Sequence, residues 1–330
     1  MQVPTRVPEF PPSIAAISDQ APRPKWSVMI PVYNCKEYLA QTLQSVIDQD
    51  LGPNLMQIEV VDDCSTDADI QQMVASIGKG RIAYFRQPVN LGNVRNFETC
   101  INRSRGELLH LLHGDDFVKP GFYKKMQNLM EENPEAGAGC SDWEYITSSG
   151  GSLWNKPMID QQKGILDNWL ERIATQQLLQ TPSVVVRRST YETLGSFYAV
   201  KSTEDWVMWV RIAAHYPFAY LPEKLACYRV HSMNVTSNSF STGDNYRDLQ
   251  KTIALNMQYL PIADRKRVEK ACRKNLSFYY SNLAHKQFHD HQSTKTVLKI
   301  GWDALKFDLN FFATKLLAKL YLKILVGYKQ

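Results

Sequence analysis

Residues 27–63, SVMIPVYNCKEYLAQTLQSVIDQDLGPNLMQIEVVDD, decide the fold. The apolar run 27–31 ends at a proline, as a buried strand does when it stops there. From Leu39 to Val46, apolar residues recur at the spacing of one helix face. The run 57–61 is β-branched and predicts a second strand. A strand, a helix and a strand in this order are the repeating unit of a parallel α/β sheet.

The same alternation continues beyond this stretch. Strand patterns cover residues 81–85 and 107–112, and helix patterns cover 70–77, 97–101 and 122–130. Repeated strand–helix pairs predict an α/β fold with a mostly parallel sheet that helices cover on both faces. Further along the chain, strand patterns lie at 183–187 and 225–230, and a helix pattern lies at 203–214.

Composition bounds the class of protein. The chain has 330 residues, of which 44% are hydrophobic and 22% charged, so it can bury a sizeable core and is not a disordered protein. Six prolines predict a disordered leader over residues 1–24, which precedes an α/β domain over 25–236 and a helical region over 237–330. The six cysteines are widely separated, which predicts free thiols in a reducing cytosol.

Acid pairs follow two of the predicted strands. Asp62 and Asp63 follow one, and Asp115 and Asp116 follow another. Parallel strands bring their carboxyl ends to one edge of the sheet, where α/β proteins bind ligands. Adjacent carboxylates repel each other unless a cation joins them, and Mg²⁺ or Mn²⁺ with a diphosphate is a natural partner. The alternative is a solvated turn in which Asp116 caps the next helix.

Asp63 is suited to accept hydrogen bonds from a nucleotide base or a ribose hydroxyl. The same stretch also has a purely structural interpretation, in which Ser65 and Asp67 cap a helix that starts near Ala68. The sequence leaves both interpretations open.

Two other groups are candidates for chemistry. Glu204 and Asp205 open a helix pattern that continues with Trp206 and Trp209. A carboxylate beside large aromatic rings is partly desolvated, which favours a general base, whereas first-turn acids that complement the helix dipole are the alternative. His231 ends a predicted strand, where it is either a structural histidine or a ligand for a cation or phosphate.

Several motifs are missing. No GxGxxG follows the first strand and no GxxxxGK[ST] occurs, which argues against dinucleotide-dependent dehydrogenases and P-loop enzymes. The α/β part has no basic and aromatic pattern, so we expect no nucleic-acid partner.

Taken in order, these segments resemble family 2 glycosyltransferases of the GT-A fold over residues 26–236. The likeness rests on five stretches: 27–49, EVVDDCSTD at 59–67, NLGNVRNFETCINRSRGELLHLLHGDD at 90–116, STEDWVMWVRIA at 202–213 and YRVHSMNVT at 228–236. The resemblance implies a hexosyltransferase-type enzyme of class EC 2.4. Such an enzyme moves a sugar, mostly from a UDP-sugar, to a hydroxyl of a glycan or lipid-linked glycan. It does so with inversion and with Mn²⁺ or Mg²⁺.

The resemblance also implies a role for each matching position. The nucleotide would be contacted by Pro31, Tyr33, Glu37 and Asp63, and its diphosphate would lie near Arg95. The DXD region that meets the metal and the donor would be formed by Asp115 and Asp116, with Asp116 favoured as the direct metal ligand, and His231 would be a further metal or diphosphate contact. Asp205, with Glu204 beside it, would deprotonate the acceptor hydroxyl.

One position departs from the family pattern. His113 stands where many members have the first acid of DxDD. This departure supports an alternative, in which the chain is an inactive partner subunit that binds a nucleotide sugar. A sugar nucleotidyltransferase is disfavoured because no Gly-rich basic loop follows the first strand.

The net charge of +5 is unevenly distributed. Residues 237–330 hold 16 Lys and Arg against 7 Asp and Glu, a net charge of +9, whereas residues 1–236 have a net charge of −4. An apolar stripe over 309–325 carries Lys315, Lys319 and Lys323. This pattern predicts a cytoplasmic protein that is peripheral on the anionic inner face of the plasma membrane. The alternative is a helix packed on its own domain or on a second subunit of a homo-oligomer.

Overall fold

The chain forms two compact units. The computed structural model describes residues 5–18, 22–154, 156–231, 244–290 and 292–327. The first unit comprises Met1–Trp169 and Leu178–Ser232, and the second comprises Leu170–Gln177 and Met233–Gln330. The predicted boundary between residues 236 and 237 lies outside the described residues.

Within the described residues, the first unit is built on a ten-stranded mixed sheet. Its strands are β1 Trp26–Val32, β2 Met56–Asp62, β3 Ala83–Arg86, β4 Leu108–Leu111, β5 Phe117–Val118, β6 Ala138–Ile146, β7 Ser152–Trp154, β8 Gly164–Ile165, β9 Val184–Arg187 and β10 Phe218–Arg229. The order along the sheet is β3-β2-β1-β4-β9-β6-β10-β5, with β7 beside β6 and β8 beside β10.

The longer strand pairs are parallel. β1 pairs in parallel with β2 and β4, β2 pairs in parallel with β3, and β6 pairs in parallel with β10. β9 runs antiparallel between β4 and β6. The predicted α/β fold with a mostly parallel sheet is therefore confirmed, and β1 is buried along its whole length, as its apolar run requires.

Six helices of the first unit flank this sheet within the described residues. They are α1 Lys36–Ile47, α2 Ile70–Gly78, α3 Asn93–Arg103, α4 Phe122–Glu132, α6 Arg188–Leu194 and α7 Glu204–Ala213. Ser65 and Asp67 do not cap α2, because this helix begins after Asp69, whose carboxylate accepts the backbone N–H of Gln72. Asp67 instead accepts the N–H of Lys36 at the start of α1.

The N-terminal segment is ordered over residues 5–18, contrary to the predicted disordered leader. The carbonyl of Pro8 accepts the N–H of Ala199 at 2.8 Å, and the carbonyl of Pro12 accepts the N–H of Ser196 at 2.8 Å. Ile14 is buried. Prolines lack an N–H but keep a free carbonyl, so an extended proline-rich chain binds wherever the domain surface offers donors.

The second unit is helical, as predicted for the C-terminal region. Its helices are α8 Asp244–Gln258, α9 Ile262–His289, α10 Thr294–Phe307 and α11 Phe311–Leu325, and most of α5 Trp169–Thr175 also belongs to it. The ring of Tyr280 packs edge-on against Phe307. A Cβ on Gly301 would lie 2.5 Å from the Tyr321 hydroxyl oxygen, so a larger residue here would require the Tyr321 side chain to move. Among the described residues, no helix is long and apolar enough to span a membrane.

Candidate active site

Hydrogen bonds join the loops at the carboxyl ends of β1, β2 and β4. The N–H of Asp63 donates to the carbonyl of Val32, and the N–H of Gly114 donates to the carbonyl of Pro31. A Cβ on Gly114 would lie 2.7 Å from Cys35 Sγ, so glycine is required for this close approach. The two predicted acid pairs therefore lie at one edge of the sheet.

The two carboxylates after β4 have different environments. Asp116 is buried; its Oδ1 accepts the backbone N–H of Arg229 at 2.8 Å, and its Oδ2 has no hydrogen-bond partner among the described residues. The side chain of Asp115 is 23% exposed, and its Oδ2 accepts a hydrogen bond from His231 Nε2 at 3.0 Å. Asp115 is thus the accessible acid, although the sequence favoured Asp116 as the direct metal ligand.

The pKa values of the pair move in opposite directions. Burial, and next the negative charge of Asp115, raise the pKa of Asp116 well above its usual value. Burial also acts to raise the pKa of Asp115, but the hydrogen bond from His231, together with smaller electrostatic effects, outweighs it, so this pKa is lowered. At neutral pH the pair therefore presents one firmly ionised carboxylate to solvent.

His113 completes a group of potential metal ligands. One ligand atom each from His113, Asp115 and Asp116 lies within 4.8 Å of the others. The His113 ring stacks on Phe97, and its buried Nε2 has no hydrogen-bond partner among the described residues. Burial lowers the pKa of His113, which favours the neutral, metal-ligating imidazole. With the unpartnered Oδ2 of Asp116, this donor set fits a divalent cation.

Arg229 holds in place the loop that carries His113, Asp115 and Asp116, which we call the acid loop. Its side chain is buried; Nε donates to the carbonyl of Asp115 at 2.8 Å and Nη2 donates to Gln41 Oε1 at 2.6 Å. Each of these partners is more than 110 residues away in the chain, which is why local pattern reading does not find them.

The carboxylate of Asp63 accepts hydrogen bonds from the loop that precedes α3. It accepts the N–H groups of Leu91 at 2.7 Å and Gly92 at 2.8 Å, and the side-chain amide of Asn90 at 3.0 Å. Burial raises its pKa, and the two N–H donors oppose that shift. Asp63 is buried, and its Oδ1 accepts one of these bonds, so the carboxylate has a structural role and keeps one lone pair on Oδ1 for a further donor.

Asp62, the other member of this pair, is structural. It is buried, and its carboxylate accepts the N–H of Ser65 at 2.8 Å, the hydroxyl of Tyr84 at 2.8 Å and the guanidinium of Arg86. The Asp62–Asp63 pair therefore contributes one candidate ligand-binding carboxylate, that of Asp63, whereas Asp115 and Asp116 both remain candidates.

Arg6 is a site residue that sequence reasoning missed. Its Nη2 donates to the carbonyl of Asn90 at 3.5 Å, and its side chain lies 3.6 Å from where a Cβ on Gly92 would stand. Its positive charge also acts to lower the pKa of Asp63. The ordered N-terminal segment thus places a cation beside the loop that Asp63 holds.

The two acids of α7 have separate partners. Glu204 is buried and accepts the side-chain amide of Asn93 at 2.6 Å. Asp205 is partly exposed; its Oδ1 accepts the N–H of Trp206, and its charge adds to burial in raising the pKa of Tyr145. Trp206 and Trp209 are buried in the core, and Tyr145 of β6 lies close enough to Asp205 for the charge of Asp205 to act on its phenol.

Helix α3 connects the two halves of the site. Asn93 bonds Glu204 of α7, and Phe97 stacks on His113 of the acid loop at 5.1 Å between ring centroids. Residues four apart lie on one face of a helix, about one turn or 6 Å from each other. The acids of α7 and the acid loop therefore lie on the same side of α3.

The other predicted positions divide into two groups. Pro31 is buried at the end of β1, whereas Tyr33 and Glu37 are exposed just beyond it. Arg95 is not brought to the acid pairs: its guanidinium donates to Glu98 and to the carbonyl of Thr5. Glu98 lies one turn further along α3 and Thr5 belongs to the N-terminal segment, so the contacts of Arg95 join α3 to that segment.

The fold and the site are those of a known protein family. Residues 27–200, more than half of the chain, match the profile of Glycosyl transferase family 2. The chain belongs to that family, which confirms the resemblance seen in its motifs.

Its relatives include proteins of several bacteria. An uncharacterized protein of Mycobacterium tuberculosis is 26% identical over 214 residues, which cover 63% of this chain and 60% of that protein. The putative teichuronic acid biosynthesis glycosyltransferase TuaG of Bacillus subtilis is 25% identical over 247 residues, which cover 69% of this chain and 90% of that protein. The chain thus spans less than two thirds of the mycobacterial relative's length.

Solved structures share the fold. Staphylococcus aureus TarS, residues 1–349 in complex with UDP-GlcNAc, superposes with a TM-score of 0.65 at 16% identity, covering 86% of this chain and 80% of that one. The mannosyltransferase PcManGT of Pyrobaculum calidifontis, in complex with GDP-Man and Mn²⁺, gives 0.59 at 15% identity, covering 93% and 83%. These likenesses confirm the predicted GT-A fold.

Proposed function

We propose that this protein is an inverting glycosyltransferase that moves a sugar from a nucleotide-diphosphate sugar to a hydroxyl of a glycan or lipid-linked glycan. A UDP-sugar is the first donor to test, because the TarS structure holds UDP-GlcNAc. The observation that carries the proposal is the shared face of α3, where Asn93 contacts the α7 acids and Phe97 contacts the acid loop. This arrangement supports the proposal, because a base on α7 and a diphosphate bound at the acid loop would then lie on the same side of one helix.

Asp115, Asp116, His113 and His231 are the residues that would hold a divalent cation, Mn²⁺ or Mg²⁺. When bound, the cation supplies Lewis-acid stabilisation of charge on the departing diphosphate. Arg229 contributes without it, because its bonds to the Asp115 carbonyl and the Asp116 carboxylate keep the acid loop in one geometry.

Asp205 is the proposed general base. Glu204, the residue before it, accepts a hydrogen bond from Asn93 and so fixes the start of α7 against α3. The Asp205 carboxylate takes the proton of the acceptor hydroxyl as that oxygen bonds to the anomeric carbon, on the face opposite the diphosphate. The bond from the anomeric carbon to the diphosphate oxygen breaks, and its electron pair leaves with the nucleotide. Attack from the opposite face inverts the anomeric centre.

A donor screen tests this function. We expect one class of nucleotide sugar among UDP-, GDP- and dTDP-sugars to raise the Tm by roughly 5–10 °C at 100 times its Kd, since that excess stabilises the folded state by about 2.7 kcal/mol. Mn²⁺ should enhance the shift, and the same donor should be hydrolysed slowly without acceptor. Stabilisation without hydrolysis or transfer to any glycan acceptor supports the inactive partner subunit instead, and no stabilisation by any donor contradicts both.

Arg6 is proposed as a donor contact, because it places a positive charge beside the loop held by Asp63. We expect Arg6→Ala to raise the donor Kd about fivefold, since an exposed charge contact contributes about 1 kcal/mol, with kcat unchanged. Isothermal titration with the identified donor measures this. Arg105→Ala, which removes an exposed arginine in the loop before β4, is the matched control and should leave the Kd unchanged. An unaltered Kd in Arg6→Ala contradicts the assignment.

The free cysteines support the proposed cytoplasmic location. No disulfide joins any of the six cysteines, and five of them are buried. Buried free thiols are ordinary in a reducing compartment.

A further inference from the structure

The end of the second unit exposes large apolar side chains. Seven of them between residues 302 and 326 are each at least 60% exposed, and we call them the apolar C-terminal surface: Trp302, Leu309, Phe311, Phe312, Leu322, Leu325 and Val326. Scattered exposed apolar residues are normal, but so many within one short segment indicate a surface that binds something apolar.

Helix α11 shows how this surface is arranged. Its buried positions, Ala313, Leu317 and Leu320, recur at helical spacing and face the rest of the unit. At about 100° per residue, Phe311 and Leu322 point to the opposite side. The helix therefore has two apolar faces, of which only one is needed to fold the unit.

Lysines share the exposed face. Lys315 and Lys319 are exposed, Lys323 follows one turn later, and residues 311–325 contain no acid. By helical spacing, Lys315 lies within about 20° of Leu322 around the axis. Apolar side chains beside lysines suit a lipid interface, since the lysine stems lie along apolar surface while their ammonium groups reach the headgroups.

We propose that the apolar C-terminal surface docks on an anionic lipid bilayer, with Phe311, Leu322 and Leu325 entering the acyl boundary and Lys315 and Lys319 contacting phosphate headgroups. A second copy of this chain is a poorer occupant, because symmetrical pairing of α11 would bring the same lysines together without an acid on that helix to neutralise them. The proposal does not depend on the proposed activity, since it rests on the second unit alone.

Vesicle co-sedimentation tests the proposal with the full chain. We expect binding to vesicles of phosphatidylcholine mixed with phosphatidylglycerol and little binding to phosphatidylcholine alone. Lys315→Gln and Lys319→Gln should each weaken binding about fivefold, because one lysine near an anionic surface contributes about 1 kcal/mol. The double variant Phe311→Ser, Leu322→Ser should weaken it about tenfold or more, because both side chains then lose their apolar contact with lipid.

Ile262→Ser is the matched control. Ile262 is 81% exposed at the start of α9, outside the apolar C-terminal surface, so its loss should leave vesicle binding unchanged. Because all the altered side chains are exposed, the Tm of each variant should match the parent, and this measurement detects misfolding. Equal binding of parent and Phe311→Ser, Leu322→Ser overturns the proposal. A dimer by light scattering that this variant abolishes, without vesicle binding by the parent, overturns it in favour of self-association.

Discussion

Asp205→Asn is expected to lower kcat by about a thousandfold while leaving the donor Kd within about twofold, since a positioned general base contributes about 10²- to 10⁴-fold. Asparagine keeps the Oδ1 that accepts the N–H of Trp206, so the start of α7 is preserved. It cannot take up a proton at neutral pH. The substitution therefore removes the proton acceptor while it keeps the bond to the Trp206 N–H.

Two measurements separate catalysis from binding. Transfer under donor and acceptor saturation gives kcat, and calorimetric titration gives the donor Kd. Asp48→Asn is the matched control, because Asp48 is an exposed carboxylate at the C-terminal end of α1, away from the loops of the site. If Asp205→Asn weakens donor binding as strongly as it slows transfer, Asp205 is a structural acid, and an unchanged kcat assigns the base elsewhere.

Much of the fold was predictable because its elements follow simple periodicities. β1 is apolar and buried, and α1 buries Leu39, Leu43 and Val46 on one face, as their spacing predicts. β6 was not predicted, since its central residues Ser141 and Asp142 are polar, and an isolated sequence does not show that Asp142 is neutralised by Lys156 and bonded by Tyr220. Tertiary contacts decide such a strand.

The candidate site was only partly predictable, and for a related reason. Acids directly after a strand are visible in the chain, so Asp115, Asp116 and Asp63 could be selected. The different environments of Asp115 and Asp116 come from residues that are distant in the chain. The backbone N–H of Arg229 donates to the carboxylate of Asp116, and His231 donates to the carboxylate of Asp115. The accessibility of each carboxylate therefore could not be ranked from the motif alone.

The same reasoning explains how His113 fits at the position where the family resemblance implies the first acid of DxDD. The His113 imidazole lies between the ring of Phe97 and the carboxylate of Asp116, and burial lowers its pKa, which favours the neutral form. A neutral ligand in place of a carboxylate reduces the negative charge around a bound cation by one. We therefore expect the remaining acids to carry more of the cation binding than in a DxDD site.

Asp115→Ala and Asp116→Ala are expected to act on different properties. Asp115→Ala should weaken Mn²⁺ binding by roughly 100-fold or more and lower kcat/KM to a similar degree, because it removes the accessible, ionised ligand and also releases His231. The Tm of the metal-free protein should change little, since the side chain is partly exposed. Asp116→Ala should instead destabilise the metal-free protein by about 1–3 kcal/mol, because the buried N–H of Arg229 loses its acceptor.

Calorimetry with MnCl₂ and thermal denaturation in chelator distinguish these effects. Asp116→Asn keeps an oxygen for the Arg229 N–H, so it should restore most of the stability lost in Asp116→Ala. Asp48→Ala is the control for removal of a carboxylate outside the site. Because Asp48 is exposed, this substitution should change neither the Mn²⁺ affinity nor the stability of the metal-free protein. If Asp116→Ala abolishes Mn²⁺ binding at unchanged Tm while Asp115→Ala binds normally, the buried acid is the ligand and the ranking by accessibility is wrong.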